Sequence, residues 1–396
     1  MKQRQVILPG STIGILGGGQ LGRMMTLAGR QMGYRFITLD PVEDAPCAQV
    51  ADEQIVAGYD DYQAAEKLAE RADVITYEFE NVNASVADML SEKSYVPQGS
   101  QLLYTTQHRL REKRAIEDAS VPVAPYAEIK SEQDLVDAVQ RFGTPCVLKT
   151  AVGGYDGKGQ WVIRSTEEIS DAYNTLRKAN TDLVLEQFIR FEKELSVVAA
   201  RNKEGQVSTF PVAENIHIDN ILHTTIVPAR IDQKVQDRAK KLAKNIAETL
   251  DVVGLIAVEM FYTSDGKLYV NELAPRPHNS GHYTMDACKT SQFEQHIRAI
   301  CNLPLESSEL ICPVVMVNIL GEHVDPLLKW MEENHQNANQ DVIIKVHLYG
   351  KKEAKEKRKM GHINLLTKDI NLALDWIENT GIWEKKQLGK KEGVLS

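Results

Sequence analysis

The run Gly17-Gly18-Gly19-Gln20-Leu21-Gly22 constrains the fold most. It follows the short apolar stretch Ile13-Gly14-Ile15-Leu16, and Leu21, Met24, Met25, Ala28 and Met32 then recur at helical spacing. A strand that turns on glycines straight into a helix opens a parallel α/β sheet. Phe36 to Leu39 reads as a second strand ending at Asp40, Ala64 to Ala69 as part of a helix, and Asp73 to Tyr77 as a third strand ending at Glu78. Helices then cover both faces, and ligands sit beyond the C-terminal strand ends, where Gly17, Asp40 and Glu78 fall. With Asp40 closing the next strand, the glycines fit the dinucleotide-binding fingerprint. The chemistry is more general, because glycines let backbone approach any phosphate and a helix N-terminus offers unpaired N–H groups to it. A nicotinamide or flavin dinucleotide, another phosphate ligand and tight strand–helix packing all satisfy this turn.

With 396 residues, 43% of them hydrophobic, the chain is too long for one core and calls for two or three domains. A break falls around Val96-Pro97-Gln98-Gly99-Ser100, so residues 1–100 form the first unit. A charged helix is expected from Gln101 to Ala119, ended by Val121-Pro122-Val123-Ala124-Pro125. Residues 101–301 mix strands and helices, with a subdomain over about 122–190. The clearest hairpin is Leu255 to Tyr262, a two-residue turn at Asp265-Gly266, then Leu268 to Leu273. Residues 302–396 make a smaller, β-rich unit with strands near Val314 to Ile319 and Val342 to Leu348. The fold class is therefore α/β and α+β multidomain, with an N-terminal Rossmann-like parallel sheet.

Charge and cysteine content exclude several functions. Lys+Arg is 46 against Asp+Glu 55, a formal net charge of −9, which argues against general nucleic-acid binding. No stretch approaches the roughly 18 apolar residues of a membrane span, and the polar start Met1 to Gly10 does not resemble a signal peptide. Cys47, Cys146, Cys288, Cys301 and Cys312 are scattered without CxxC spacing, which argues against a zinc site and fits a reducing cytoplasm.

A second glycine loop carries more specific chemistry. Val147-Leu148-Lys149 reads as a strand, followed by Gly153-Gly154-Tyr155-Asp156-Gly157-Lys158-Gly159-Gln160 and the strand Trp161-Val162-Ile163. Such a hairpin flap can fold its N–H groups over phosphates, with Lys149 and Lys158 as point charges. No helix with Lys-Ser/Thr follows, so this is not a P-loop. A mobile surface hairpin is the plain alternative. Around Asp265-Gly266, cross-strand partners of a two-residue turn set Glu259 opposite Glu272. Two facing carboxylates repel unless something positive lies between them, and Mg²⁺ suits two carboxylates plus phosphates. A one-residue slip with both glutamates solvated is the alternative. Asn271 points to the other face of an ideal strand, near enough to its end to reach the metal. Next comes Ala274-Pro275-Arg276-Pro277-His278-Asn279-Ser280-Gly281-His282, a stiff loop whose Arg276, His278 and Asn279 can hold bicarbonate or an acyl phosphate. Glu186-Gln187-Phe188-Ile189 after Leu183-Val184-Leu185 suits an adenine and ribose pocket; Glu194 and His217 are weaker candidates. The basic run Lys351, Lys352, Lys355, Lys357, Arg358 and Lys359 is ordinarily a solvated face, but following a strand it can clamp a phosphate.

The Lys149 strand, the flap, Glu186 and Glu259 with Asn271-Glu272 resemble the ATP-grasp superfamily. The strings GGGQLGRMM, ITYEFENV, GGYDGKGQ, IVPARI, NELAPRPHNSGHYTMDAC and RKMGHIN narrow the resemblance, over nearly the whole chain, to the N5-carboxyaminoimidazole ribonucleotide synthetase family. The resemblance implies a pre-ATP-grasp substrate domain, a central ATP-grasp domain and a small C-terminal domain completing the substrate site. It implies ATP contacts from Arg109, Lys149, Gly154, Tyr155, Asp156, Gly157, Lys158, Gly159, Gln160, Glu186, Gln187, Phe188, Ile189, Glu194, His217, Asn271 and Glu272. It implies Mg²⁺ on Glu259 and Glu272, and aminoimidazole ribonucleotide on Gln20, Leu21, Glu78, Tyr155, Asp156, Lys351 and Arg358. Catalysis would fall to Lys149, Arg276, His278 and Asn279, with bicarbonate as the carbon source and a homodimer as the assembly. Rival readings are another ATP-grasp ligase such as a formate-using glycinamide ribonucleotide transformylase, a dinucleotide-dependent oxidoreductase, and a nucleotide-binding protein without turnover.

Overall fold

The computed structural model describes residues 6–80, 82, 84–153, 158–334 and 341–383. Its first sheet is parallel throughout, with β1 (Thr12–Leu16), β2 (Arg35–Asp40), β3 (Glu53–Val56) and β4 (Val74–Tyr77) in the order β3-β2-β1-β4. Helices α1 (Gln20–Gln31), α2 (Tyr62–Arg71) and α3 (Ala84–Lys93) alternate with these strands. Ile13 and Ile15 pack with Met24 and Met25 of α1, whereas Leu16, Ile37 and Leu39 pack with Leu68 of α2 and Val86 and Leu90 of α3. Both faces are thus covered, as the alternation of elements requires. Strand β3 escapes sequence reading because it is a four-residue edge strand with no buried residue.

The helix expected from Gln101 to Ala119 is two helices, α4 (Gln101–Thr106) and α5 (Arg109–Asp118). His108 is extended, at φ −140° and ψ 114°. The break is held from outside. The Gln107 Nε2 donates to the Glu80 and Val82 carbonyls at 2.6 and 2.8 Å, and Arg109 N donates to the Ala151 carbonyl at 2.9 Å. Tertiary hydrogen bonds override local helix propensity here. The restart sets Arg109, Glu112 and Lys113 on one face, three and four residues apart.

A small antiparallel sheet follows, with β5 (Tyr126–Ile129), β6 (Cys146–Thr150), β7 (Gln160–Ile163) and β8 (Leu183–Gln187) in the order β5-β8-β6-β7. Helices α6 (Glu132–Phe142) and α7 (Ile169–Leu176) bury one face of it through Leu135, Val139, Ala172 and Leu176 against Leu148, Ile163 and Leu185. Strand alternation then turns Lys149 and Glu186 to the other face, with Val147 paired to Glu186 and Lys149 to Gln160.

The third sheet has nine strands: β9 (Lys193–Arg201), β10 (Val207–Thr209), β11 (Ala213–Ile218), β12 (Ile221–Val227), β13 (Gly254–Tyr262), β14 (Leu268–Ala274), β15 (Val314–Leu320), β16 (Ile343–Leu348) and β17 (Lys359–Leu366). Their order is β14-β13-β9-β11-β12-β15-β17-β16, with β10 on β9. The strands after residue 301 therefore extend the sheet begun before it. Helix α8 (Gln233–Thr249) packs Ala239, Ala243 and Ile246 beneath β9 and β13. The short α9 (Thr284–Ala287) and α10 (Gln292–Ile300) follow β14, and α10 carries Phe293 and Ile297 into the core of the first sheet. Helices α11 (Val324–Glu333) and α12 (Ile370–Asn379) cover β15 and β17 through Leu327, Ala373 and Ile377.

The turn between β13 and β14 is longer than two residues. Thr263 N donates to the Lys267 carbonyl at 3.0 Å, Gly266 N donates to the Thr263 carbonyl at 2.9 Å, and Gly266 takes φ +80°. That pairs Met260 with Val270, one step off the expected register. A bulge at Asn271 restores it, and Glu259 faces Glu272. The bulge also answers the expectation that Asn271 points away. The inserted residue is re-aimed and lines the same cavity as both glutamates.

Candidate active site

A cavity of about 250 Å³ lies in the cleft between the small sheet and the nine-stranded sheet. One wall is Lys149 from β6 and Arg109 and Glu112 from α5; the other is Glu259, Asn271 and Glu272 from the bulged hairpin, with His217 from β11. Behind the first wall, Glu186 accepts from the Lys149 Nζ at 3.2 Å and pairs with the Lys113 Nζ at 3.1 Å. All three side chains are buried. Burial opposes the Glu186 charge, but the two lysines hold its carboxyl down at about 2. Burial, helped by Arg109 and Lys113, lowers Lys149. The pairing is two cations to one anion, so positive charge is left over to face the cleft. Gln187, Phe188 and Ile189 line a small apolar recess beside Lys149 and Glu186, floored by Phe191 stacked on Phe261 at 4.7 Å. Glu194 pairs with the His217 Nδ1; burial opposes the imidazolium, but this contact raises His217 overall.

The glutamate pair carries strain of the kind its register implies. Burial in the cleft and the Glu259 carboxylate opposite raise Glu272, while Arg109 approaches it at 3.9 Å. Glu259 is held low despite burial, through His278 Nε2 at 3.1 Å. A chain of hydrogen bonds fixes His278. Asn215 donates to the Ser196 hydroxyl, Ser196 to the Ser280 hydroxyl, and Ser280 N to the His278 Nδ1 at 3.3 Å. Nδ1 accepts, so Nε2–H is the donor to Glu259. Glu112 accepts from Leu273 N at 2.8 Å; burial and the Glu272 charge push it up to about 8.

A second cavity, of about 520 Å³, lies under the first glycine turn. Gln20, Leu21, Glu78, Lys351 and Arg358 all line it. Here the turn departs from dinucleotide use. Gly19 N and Gly22 N donate to the two Glu78 oxygens, both at 2.5 Å, and Gly18 N donates to Asp40 at 2.7 Å. The N–H groups that would cradle a pyrophosphate are spent on the chain's own carboxylates. Crowding enforces this. A Cβ at Gly19 would lie 2.6 Å from the Glu78 Oε1, and Gly17 takes φ +114°. Burial raises Glu78 to about 7 in spite of its two N–H donors. Lys351 donates to the Lys359 carbonyl at 2.6 Å and Arg358 to the Glu353 carbonyl at 3.0 Å.

Glu80, Arg276, His278, Asn279 and Lys359 line both cavities. Arg276 forms a forked pair with Glu80, and its guanidinium holds the Glu80 carboxyl at about 2 against burial. Lys158 and Gln160 line the cleft, Gly159 accepts from Thr150 N, and Gly154, Tyr155, Asp156 and Gly157 lie outside the described residues. Sequence reading assigned no role to Glu80, Glu112 or Lys113, and placed Lys359 only within the basic run that can clamp a phosphate. The signal for Glu112 and Lys113 is their spacing from Arg109; Glu80 has only its place two residues beyond a strand-end acid.

Residues 10–107 match the ribonucleotide synthetase preATP-grasp domain, residues 114–293 the ATP-grasp domain, and residues 314–375 the phosphoribosylaminoimidazole carboxylase C-terminal domain. The chain is 49% identical over 390 residues to the N5-carboxyaminoimidazole ribonucleotide synthase of Bacillus subtilis, covering 98% of this chain and all of that protein. An ADP complex of an N5-carboxyaminoimidazole ribonucleotide synthetase superposes with a TM-score of 0.91 at 53% identity, covering 96% of this chain and 99% of the other. The Aspergillus clavatus synthase in complex with ADP and 5-aminoimidazole ribonucleotide superposes with a TM-score of 0.85 at 29% identity, covering 93% and 97%. Three matching domains in one order, and relatives matched end to end, place this chain in the N5-carboxyaminoimidazole ribonucleotide synthase family of ATP-grasp enzymes.

Proposed function

We propose that the chain uses ATP and bicarbonate to carboxylate the exocyclic amine of 5-aminoimidazole ribonucleotide, releasing ADP and phosphate, in purine biosynthesis. The observation that carries the arrangement is the wall shared by the two cavities, built of Glu80, Arg276, His278, Asn279 and Lys359. ATP occupies the cleft, with its adenine in the recess of Gln187, Phe188 and Ile189 and its phosphates toward Lys149 and Arg109. The ribonucleotide occupies the second cavity, its phosphate toward Lys351 and Arg358 and its ribose hydroxyls toward Glu78. Bicarbonate sits at the wall, reachable from both sides. The ADP and 5-aminoimidazole ribonucleotide bound in the Aspergillus clavatus synthase support the two nucleotide assignments.

In the first step a bicarbonate oxygen attacks the γ-phosphorus, the bond to the bridging oxygen breaks, and ADP leaves carboxyphosphate behind. Such transfers need positioning and charge neutralisation more than covalent help. Lys149 and Arg109 supply positive charge, and Glu186 with Lys113 fixes where Lys149 points. In the second step the amine nitrogen attacks the carboxyphosphate carbon, the carbon–oxygen bond to phosphate breaks, and the departing phosphate takes up the proton that the nitrogen loses. Arg276, clamped by Glu80, faces the developing charge. Its place on the shared wall lets the acyl phosphate pass between partners without crossing bulk water, which would hydrolyse it.

Glu259 and Glu272 would hold Mg²⁺, which when bound would neutralise charge on the phosphate oxygens. The donor set fits, with two facing carboxylates, of which Glu272 is raised by burial and by the Glu259 charge opposite. Among the described residues no three His, Cys, Asp or Glu side chains form a closed metal cage. An ion that completes its shell with phosphates and water does not need one. A cytoplasmic site and a homodimer belong to the same proposal. Five free cysteines support the first, and the family resemblance supports the second. No helix among the described residues is long and apolar enough to cross a membrane.

The test is ADP release from ATP with Mg²⁺ and bicarbonate, with and without aminoimidazole ribonucleotide. Strong stimulation by the ribonucleotide, with an acid-labile carboxylated product, is the expected result. Stimulation by formate or another amine in its place would keep the fold and overturn the substrate.

A further inference from the structure

We infer that His282 is a specificity-determining residue, a single-tautomer hydrogen-bond donor aimed into the ribonucleotide cavity to read the unsubstituted ring nitrogen of the aminoimidazole. The argument starts one residue into α10, at the fully buried Gln292. Its Oε1 accepts from His278 N at 2.9 Å, and its Nε2 donates to the His278 carbonyl at 2.8 Å. A backbone N–H only donates and a carbonyl only accepts, so these two bonds settle which end of the amide is which. The second Nε2 hydrogen then points at the His282 Nδ1, 3.1 Å away. Nδ1 accepts, and the ring proton is therefore on Nε2.

The ring has no freedom to reverse this. It lies against His362 at 4.9 Å, Phe293 at 5.6 Å and Tyr349 at 6.2 Å between centroids. A Cβ at Gly281 would meet the Gln292 Oε1 at 2.6 Å, so the loop and the amide interlock. His282 lines the second cavity, and among the described residues its Nε2 has no protein partner. Burial, with His278 and Lys359 nearby, keeps the imidazole uncharged. A donor fixed this way at the cavity wall is placed to pair with a ligand acceptor.

The proposal rests on the carboxylation reading above, which identifies the ligand. Its phosphate suits the cations Lys351 and Arg358, and its ribose hydroxyls can donate to Glu78. The unsubstituted ring nitrogen is the neutral acceptor left over. His282 stands four residues beyond His278, beside the wall shared with the cleft, which is where the reacting base must lie. Neutrality matters chemically. A cation at that nitrogen would draw electron density from the ring and weaken the exocyclic amine as a nucleophile. A site that donates to the ring nitrogen also rejects ribonucleotides without an acceptor there.

Steady-state kinetics with aminoimidazole ribonucleotide and ATP varied in turn test this on wild type, His282→Phe and His282→Gln. Phenylalanine keeps the ring and removes the donor; it should raise KM for the ribonucleotide about ten-fold and leave KM for ATP unchanged. Glutamine, which keeps an N–H, should restore most of the loss. Nitrogen NMR of histidine-labelled wild type should show Nε2 protonated, its proton resonance moving when ribonucleotide binds; this holds even if the phenylalanine variant melts. An unchanged ribonucleotide KM in a folded His282→Phe, or a proton on Nδ1, overturns the assignment. Wild-type turnover indifferent to the ribonucleotide overturns the carboxylation reading instead.

Discussion

The two cavities handle buried charge in opposite ways. Around the cleft, side chains balance side chains: Lys113 and Lys149 on Glu186, His217 on Glu194, Arg276 on Glu80. Under the glycine turn, side chains are held by backbone: Glu78 and Asp40 by glycine N–H groups, Lys351 and Arg358 by carbonyls. A charge balanced by another charge cannot be removed without stranding its partner. A charge held by backbone dipoles can lose its sign and leave neutral groups behind. The cleft should therefore be the more fragile half of the site, and the glycine-turn cavity the one where substitutions read out on ligand rather than on fold.

The largest expected effect tests that fragility. Glu186→Gln leaves Lys113 and Lys149 buried beside each other without a carboxylate, and should cost about 3–5 kcal/mol in urea unfolding. Adding Lys113→Met should recover part of it. The sign with pH follows from the low Glu186 value. A depressed carboxyl contributes stability above its unfolded pKa, lost as pH falls from about 4 toward about 2. Glu78→Gln strands no charge and should cost about 1–2 kcal/mol. Equal losses in the two variants would erase the contrast.

Next comes Glu272→Gln, which separates chemistry from stability inside the cleft. Glu272 faces another carboxylate, so its removal relieves repulsion instead of creating it. The melting temperature should hold or rise slightly. Turnover of ATP, followed as ADP release, should fall on the order of 100- to 1000-fold, because the proposed metal loses one of its two protein ligands. Normal turnover would remove the glutamate pair from the mechanism.

What could be read from the sequence, and what could not, divides along the same line. The glycine turns, the Lys149 strand and the Glu259–Glu272 pair announce themselves because each depends on local spacing. The glutamate register came out right from a wrong turn length, since the longer loop and the bulge at Asn271 cancel; neither leaves a mark in the residue types. Lys113 and Glu112 look like the solvated side of a charged helix, and only the break at His108 turns them inward. The single sheet running through residues 193–366 was also invisible, because β12 pairs with β15 across nearly a hundred residues. The spent N–H groups of Gly19 and Gly22 depend on Glu78, which arrives from a strand more than fifty residues on. Long-range pairing decides these features, and periodicity carries no record of it.

The smallest effect concerns Lys351 and sharpens the comparison from the ligand side. Burial and the nearby Arg358 push its ammonium down to about 8. Below that value it is charged and can meet a phosphate; above it, it is neutral. The kcat/KM for the ribonucleotide, which reports the free enzyme, should therefore fall as pH rises through about 8. The fall should level off, because Arg358 stays charged. Lys351→Arg should push this limb out of range. The same shift gives the opposite sign for folding. Between about 8 and the ordinary 10.5 the unfolded chain binds the proton and the folded one does not, so this group makes stability rise with pH. The kcat/KM for ATP, measured in the same buffers, should show no limb near 8, since Lys351 lines only the second cavity. A limb in both would mean that the shared wall passes charge effects from one cavity to the other, and the two halves of the site could no longer be treated as separately balanced.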